Sequence, residues 1–366
     1  MILKGRQYYY VVGVMSGSSL DGLDLAHCRF DHDSAGWHYG VLNALTIPYD
    51  PYWKEQLMHA MTADEEFLRD VDRTFGQFIG GHINDFISGS RHLPELIASH
   101  GHTIFHQPDK GITLQAGSGK EIAQATGIST VSDFRKTDVA LGGQGAPLVP
   151  VGDELLFGEY DYCLNLGGIC NVSYSRHGAR YAFDIAPCNM ILNHLICRLA
   201  DGKEMDQDGR TGRKGNISHE LLASLNSLPY YSITGPRSLG REWFNAAFLP
   251  VISSCSLSFK DILRTVYEHI AVQVARNLSD NSAERVLVTG GGTYNTFLIE
   301  LIKKYTPCKL VIPDTLLVKF KEAIVFAFLG LLRYLGIINC YATVTGARQD
   351  SLCGTIYVSR EPEEGY

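Results

Sequence analysis

Hydrophobic and polar positions alternate first as strands. An apolar β-branched run, Tyr8 to Val14, breaks into Met15-Ser16-Gly17-Ser18-Ser19. It turns through Asp21-Gly22, resumes from Leu23 to Phe30, and a third strand pattern covers Trp37 to Ile47. The period then changes to three and four. Helices are expected over Tyr52–Met61 and Asp64–Phe86, the second carrying Phe67, Val71, Phe75, Phe78 and Ile79 as a core-facing stripe. Glu95 to His100 is a short buried strand, with Pro94 ahead of it where a missing amide does least harm. The strand runs into the polar string 99–106. Strands at Ile112–Gln115 and Gly127–Val131 flank a helix, Lys120–Ala125.

The opening pattern returns later. Tyr162–Leu166 is a strand, Gly167-Gly168 the turn and Ile169–Tyr174 the return strand, with a third strand Tyr181–Phe183 ending in Asp184. Two strand–glycine–strand hairpins, one near residue 17 and one near 167, point to a duplicated fold. Helices are expected over Asn189–Ala200, Asn216–Leu225, Gly240–Phe248 and Ser258–Leu278. A buried strand, Glu284–Thr289, enters Gly290-Gly291-Gly292-Thr293-Tyr294-Asn295 before another helix. Lys309–Ile312 is one more strand, and Glu322 opens an apolar helix to Leu335.

Glycine-rich turns at strand ends let backbone amides converge on an anion, because no side chain keeps the ligand away. The 17–24 hairpin lacks the Lys and following helix of the common phosphate loops. An unliganded Gly/Ser hairpin is the competing reading. In Asp133-Phe134-Arg135 and Gly142-Gly143-Gln144-Gly145 the chain offers a charged frame and a loop, either a hinge or a substrate loop. Three nearby histidines, His100, His102 and His106, have no carboxylate or cysteine to complete a metal set. For Glu322 two readings stand level: a carboxylate suited to a helix N-terminus, or a metal or substrate contact.

Composition narrows the class. At 366 residues two domains are the default. Glycine makes up 37 of the residues, above the usual share of about 7%, clustered in short motifs. Net charge is −7 with no basic block, so nucleic acid and anionic membranes are not expected partners. Nine scattered cysteines without paired spacing read as reduced thiols. The first residues lack a signal-peptide core, and the longest apolar run, Ala323–Leu332, is far short of the roughly 20 residues that span a bilayer. A cytoplasmic protein is expected.

Two hairpin loops followed by a strand–GGG–helix loop is the order of the actin, hexokinase and Hsp70 ATPases. The detailed strings resemble the anhydro-N-acetylmuramic acid kinase family. They are GVMSGSSLDGLD (13–24), SHGHTIFHQP (99–108), VSDFRKTDVALGGQGAPLVP (131–150), LNLGGICNVS (164–173), FDIAPCN (183–189), PRSLGREWFN (236–245), VTGGGTYN (288–295) and EAIVFAF (322–328).

The resemblance implies a two-domain α/β, actin/hexokinase-like (ribonuclease H-like) fold with an ATP cleft between the domains. Residues 1–143 would hold the first phosphate loop, and 144–344 the second loop, the catalytic Asp and the adenosine loop. The tail, about 345–366, is a candidate to return to the first domain. It implies ATP with Mg2+, an amino-sugar substrate and a homodimer. Asp184 would be the catalytic base, with Arg135 and Glu322 beside it. ATP contacts would come from Gly17, Ser18, Ser19, Leu20, Asp21, Gly22, Leu23, Asp24, Gly167, Gly168, Asn171, Gly290, Gly291, Gly292 and Asn295, with Asp21 also reaching the metal. Sugar contacts would come from His100, His102, Thr103, Asp133, Gln144 and Asn189.

The chain departs from the family pattern in three places. F-D-T-G-P-G-N becomes FDIAPCN. H-G-Q-T becomes His100-Gly101-His102-Thr103, and K-S-T-G-R-E becomes Arg237-Ser238-Leu239-Gly240-Arg241-Glu242.

Overall fold

The structure, a computed structural model, describes residues 8–17, 20–199, 204–235 and 237–359. Two compact units form. One runs to Leu156 and resumes at Phe320; the other spans Phe157–Lys319.

In the first unit β1 (Tyr9–Ser16), β2 (Gly22–Asp33) and β3 (Gly36–Pro48) make an antiparallel meander. On its other side β1 pairs parallel with β4 (Leu96–Gln107), which pairs parallel with β6 (Thr130–Ser132). β5 (Ile112–Ala116) folds back antiparallel on β4. In the second unit β7 (Tyr162–Leu166), β8 (Ile169–Arg176) and β9 (Ala179–Pro187) form the same meander. β7 pairs parallel with β10 (Arg285–Thr289), and β10 with β11 (Lys309–Val311). The sheet orders β6-β4-β1-β2-β3 and β11-β10-β7-β8-β9 are therefore one topology used twice. That duplication is the actin/hexokinase-like fold.

The helix Glu65–Ile87, capped by Asp64 accepting from the Phe67 amide, buries Val71, Phe75 and Ile79 on one face of the first sheet. The other face is covered by the helix Thr315–Leu335. Its backbone lies so close to β1 that a Cβ at Gly13 would run into the Ala323 carbonyl. Phe328 packs on Phe30 and Trp37, with ring centroids 5.4 and 5.2 Å apart. In the second unit the helix Phe259–Arg276 buries Val266, Tyr267, Ile270 and Val274 against the sheet.

Several expectations need redrawing. The units divide at Leu156 and Phe320 rather than at 143/144 and near 344, because residues 320–335 form a core helix of the first sheet. That helix begins at Thr315, where Asp314 accepts from the Leu317 amide at 2.8 Å. Glu322 thus lies well inside it, and the helix-dipole reading of Glu322 falls away. β4 continues through the polar string to Gln107, since β5 pairs with that stretch. Asp184 sits within β9 rather than at its end, opposite Asn171 beside a bulge. The C-terminal strand β12 (Thr355–Tyr357) pairs antiparallel with β6 of the first unit.

Candidate active site

In the first unit β1 ends at Ser16, and the loop follows. The Leu20 amide donates to the Gly17 carbonyl at 3.3 Å, and Leu20 takes a left-handed φ of 58°. Ser18 and Ser19 lie outside the described residues. Asp21 is exposed at the loop's end. Gly22 and Leu23 are already ladder residues of β2, and Leu23 is wholly buried, so its side chain faces core. Half-buried Asp24 accepts from the Thr46 hydroxyl at 2.5 Å.

Ser16 lies opposite His102 in the β1–β4 register. Tyr49 donates to Ser16 Oγ at 2.6 Å, and Ser16 Oγ lies 2.9 Å from His102 Nδ1. Burial lowers the His102 pKa to about 4, keeping the ring neutral. His102 is thus a tie at the stem of the loop. Thr103, the next residue, is half-buried.

His100 has its tautomer set by both neighbours. Arg135 Nε donates to Nε2 at 3.0 Å, so Nδ1 carries the proton and donates to the Gly101 carbonyl at 2.9 Å. Burial first, then the Arg135 charge, hold its pKa well below the ordinary value. Arg135 also donates to the Gly145 carbonyl at 2.7 Å. Burial lowers the Arg135 pKa to about 10, with Glu322 opposing, which leaves the guanidinium charged at neutral pH. Glu322 has its pKa raised, chiefly by lost hydration, with Asp24 and Asp153 adding and Lys321 and Arg135 opposing. Because the Glu322 side chain still reaches solvent, water screens that effect. Asp133 adopts φ 60° and is held by Lys136 Nζ and the Tyr357 hydroxyl, each at 2.7 Å. Gln144 is exposed, its amide donating to the Thr345 carbonyl at 2.8 Å.

In the second unit Asp184 is the focus. Its Oδ2 accepts from the Leu239 amide at 2.8 Å. Its carbonyl accepts from the Tyr230 hydroxyl at 2.7 Å and Arg237 Nε at 3.3 Å. The Arg237 guanidinium lies 4.5 Å from the Phe183 ring centroid and donates to Asn277 at 2.9 Å. Burial raises the Asp184 pKa to about 6, against the lowering pull of the Leu239 amide and Arg237. A carboxyl near that value lies close to the working range of a proton acceptor.

The glycine turns divide between packing and openness. Carbonyls of Gly167 and Gly168 accept from the amides of Asn189, Cys188 and Met190, pinning the β7–β8 turn to the helix Asn189–Leu199. The side chain of Asn189 donates to the Leu166 carbonyl at 2.9 Å. Asn171 is half-buried across from Asp184. A Cβ at Gly290 would meet Asn165 and Leu166, and one at Gly292 would meet Leu166. Those two glycines serve close packing on β7. Gly168 and Gly291 are open: a Cβ at Gly168 meets nothing, and one at Gly291 only Asn189 at 3.8 Å. Asn295 caps the helix Thr296–Tyr305 through the Leu298 amide and donates to Tyr267 at 2.7 Å. The structure therefore spends this side chain on its own framework.

Residues 9–359 match the family description anhydro-N-acetylmuramic acid kinase. The chain belongs to that family. The anhydro-N-acetylmuramic acid kinase of Vibrio parahaemolyticus is 32% identical, covering 97% of this chain and 99% of that one. Those of Shewanella putrefaciens and Shewanella sediminis are 35% and 33% identical, covering 94% and 95% of this chain and 97% and 98% of theirs.

Within the anhydro-N-acetylmuramic acid kinase family this chain's departures now have locations. Ile185, Ala186 and Cys188 of the FDIAPCN string are wholly buried, as is His102. In this chain Ile185, Ala186 and Cys188 belong to the second unit's core beside Asp184, and His102 lies beneath the first loop. Leu239 presents its amide to Asp184, and a backbone donor survives a change of side chain.

Residues given no role of their own from the sequence also support these groups. Asp138 is fully buried and accepts from the Gly145 amide at 2.7 Å, Thr345 Oγ1 at 2.6 Å and Cys340 Sγ at 3.2 Å. It holds the 142–146 loop to a segment 200 residues later in the chain, a partnership no local spacing announces. Tyr357 and Ser16, the latter within the GVMSGSSLDGLD string, likewise gain their partners only from the fold.

Proposed function

We propose that this chain is an ATP-dependent kinase that opens the 1,6-anhydro ring of 1,6-anhydro-N-acetylmuramic acid with water and phosphorylates O6. The products would be N-acetylmuramic acid 6-phosphate and ADP. The single observation carrying the reading is Asp184, a carboxylate anchored through one oxygen by a backbone amide and tuned by burial to about 6.

Ring opening needs water to attack the anomeric carbon as O6 departs. An inverting glycosidase uses a base for the water and a second acid for the leaving oxygen. In the proposed reaction Asp184 takes the water's proton, the C1–O6 bond breaks, and O6 captures the γ-phosphoryl group while ADP leaves. A second acid is then unnecessary. The competing chemistry is removal of a proton from a ring-intact sugar hydroxyl by the same Asp184.

Arg135, held by His100 and the Gly145 carbonyl, is the cation assigned to the transferring phosphoryl group, with Glu322 beside it. Backbone contacts to ATP are assigned to Gly17, Ser18, Ser19, Leu20, Gly168 and Gly291. Gly22, Leu23, Gly167, Asn171, Gly290, Gly292 and Asn295 shape those loops from behind. His100, Thr103, Asp133, Gln144 and Asn189 are assigned to the sugar, and His102 to support beneath it.

Among the described residues no cluster of three or more His, Cys, Asp or Glu side chains could cage a metal ion. Exposed Asp21 and half-buried Asp24 fit instead a magnesium ion carried mainly by phosphates and water, which needs only one or two carboxylates. Such an ion would neutralise phosphate charge. No helix among the described residues is long and apolar enough to cross a membrane. By the same resemblance the proposal extends to cell-wall recycling, the cytoplasm and a homodimer.

The test is ADP release with ATP, magnesium and 1,6-anhydro-N-acetylmuramic acid, with N-acetylmuramic acid and N-acetylglucosamine in parallel. Turnover confined to the anhydro sugar, with a product heavier by both water and phosphate, is expected. Phosphorylation of a ring-intact sugar alone would replace this reading with the hydroxyl-base chemistry.

A further inference from the structure

The first unit contains a cavity of about 70 Å³ lined by Asp72, Gln115, Ser118, Asp133, Lys136 and Tyr357 among others. Its chemistry follows from a chain of hydrogen bonds ending at Gln115. His106 is hydrogen-bonded to the Gln144 backbone, leaving Nδ1 to accept from Thr113 Oγ1 at 3.1 Å. Thr113 Oγ1 in turn accepts from Gln115 Nε2 at 2.9 Å. The amide is thereby oriented with Oε1 away from Thr113. Gln115 is 6% exposed, and its Oε1 has no partner. A buried carbonyl oxygen without a donor is costly, and a bound N–H or O–H would satisfy it.

The charges around it select the ligand further. Asp133 is clamped by Lys136 and Tyr357, and Asp72 accepts from the Gly117 amide at 2.9 Å. Burial first, and the Asp133 charge after the amide, act on the Asp72 carboxyl, whose pKa is raised overall. Two carboxyl groups face one ammonium, already paired. An anionic substituent is disfavoured here, and a neutral hydrogen-bond donor is favoured.

We propose that this cavity receives the acetamido group of the amino sugar, its N–H donating to Gln115 Oε1, and that the acids Asp72 and Asp133 keep the lactyl carboxylate out. The inference rests on the substrate class proposed above. It assigns Gln115 as a specificity residue and Tyr357, through its hydrogen bond to Asp133, as a positioning residue.

The experiment compares wild type with Gln115→Met on 1,6-anhydro-N-acetylmuramic acid and on the analogue with hydrogen in place of the acetamido group. Loss of one buried hydrogen bond should raise KM for the acetamido sugar about tenfold or more. KM for the analogue and for ATP should stay unchanged. An equal shift for both sugars, or none, would overturn the assignment, the second outcome meaning a cavity for water only. Should Gln115→Met not fold, Gln115→Asn, which withdraws the carbonyl, is read the same way. If wild type turns over no anhydro sugar, the function reading fails, and calorimetry with N-acetylglucosamine against 2-deoxyglucose decides the cavity. Binding of the acetamide alone, abolished by the variant, keeps it. Equal binding or none sinks it.

Discussion

The Leu239 backbone amide donates to Asp184 Oδ2 across 2.8 Å, joining residues 55 apart in sequence. This bond favours the carboxylate form, while burial favours the protonated one, and burial wins. The balance gives the carboxyl a pKa of about 6.

Replacing Asp184 by Asn keeps the shape and removes the proton acceptor. Turnover should fall about 100- to 10,000-fold, with ATP affinity measured by calorimetry nearly unchanged. An equal loss of ATP affinity would assign Asp184 to nucleotide binding.

Only the deprotonated base works, so kcat/KM should fall as pH drops through about 6. Leu239→Pro deletes the amide donor, withdraws support for the charged form and should move that acid limb upward. A pH profile of the variant superposing on wild type would exclude Asp184 as the group being read.

His102 and His269 are fully buried, with pKa lowered by burial to about 4 and about 3 from an ordinary 6.5. Both are neutral when folded and charge on unfolding below 6.5, so the stability they protect is present above pH 6.5 and is lost as pH falls toward the folded values. Each should cost about 2 kcal/mol by pH 5. Raised carboxyls such as Asp184 offset part of this by binding protons in the folded state. Urea unfolding at pH 7 and pH 5 should show wild type losing more stability than His102→Gln. Identical losses would mean that His102 charges freely in the folded protein.

Asp138→Ala strips a buried acceptor from Gly145, Thr345 and Cys340. A loss of about 3 kcal/mol or more is expected, measured by denaturant unfolding. A loss below about 1 kcal/mol would show the loop to be held by other contacts.

Gly290 has φ 84°, and a Cβ there would strike Asn165 and Leu166, so Gly290→Ala should destabilise the second unit. At Gly291 there is room. Gly291→Ala should fold with an unchanged melting temperature yet raise the ATP KM. An unaltered KM would remove this glycine from the nucleotide contacts.

Much of the fold was legible in the chain itself, because it is written in local periodicity. Alternation marked both meanders, the stripe Val71, Phe75 and Ile79 marked a core helix, and glycines marked the turns between strands. Asp184 and Arg135 stood out through the resemblance of the strings FDIAPCN and VSDFRKTDVALGGQGAPLVP to the family, which periodicity alone does not carry. What only the tertiary structure decided depends on partners far apart in the sequence. It placed residues 320–335 with the first sheet and strand 355–357 beside Ser132, moved Glu322 away from a helix start, and turned the altered residues of FDIAPCN into buried packing. It also divided the glycines between close packing at Gly290 and Gly292 and openness at Gly168 and Gly291. Hydrogen-bond geometry and desolvation act through space, and the order of residues along a chain carries no direct record of either.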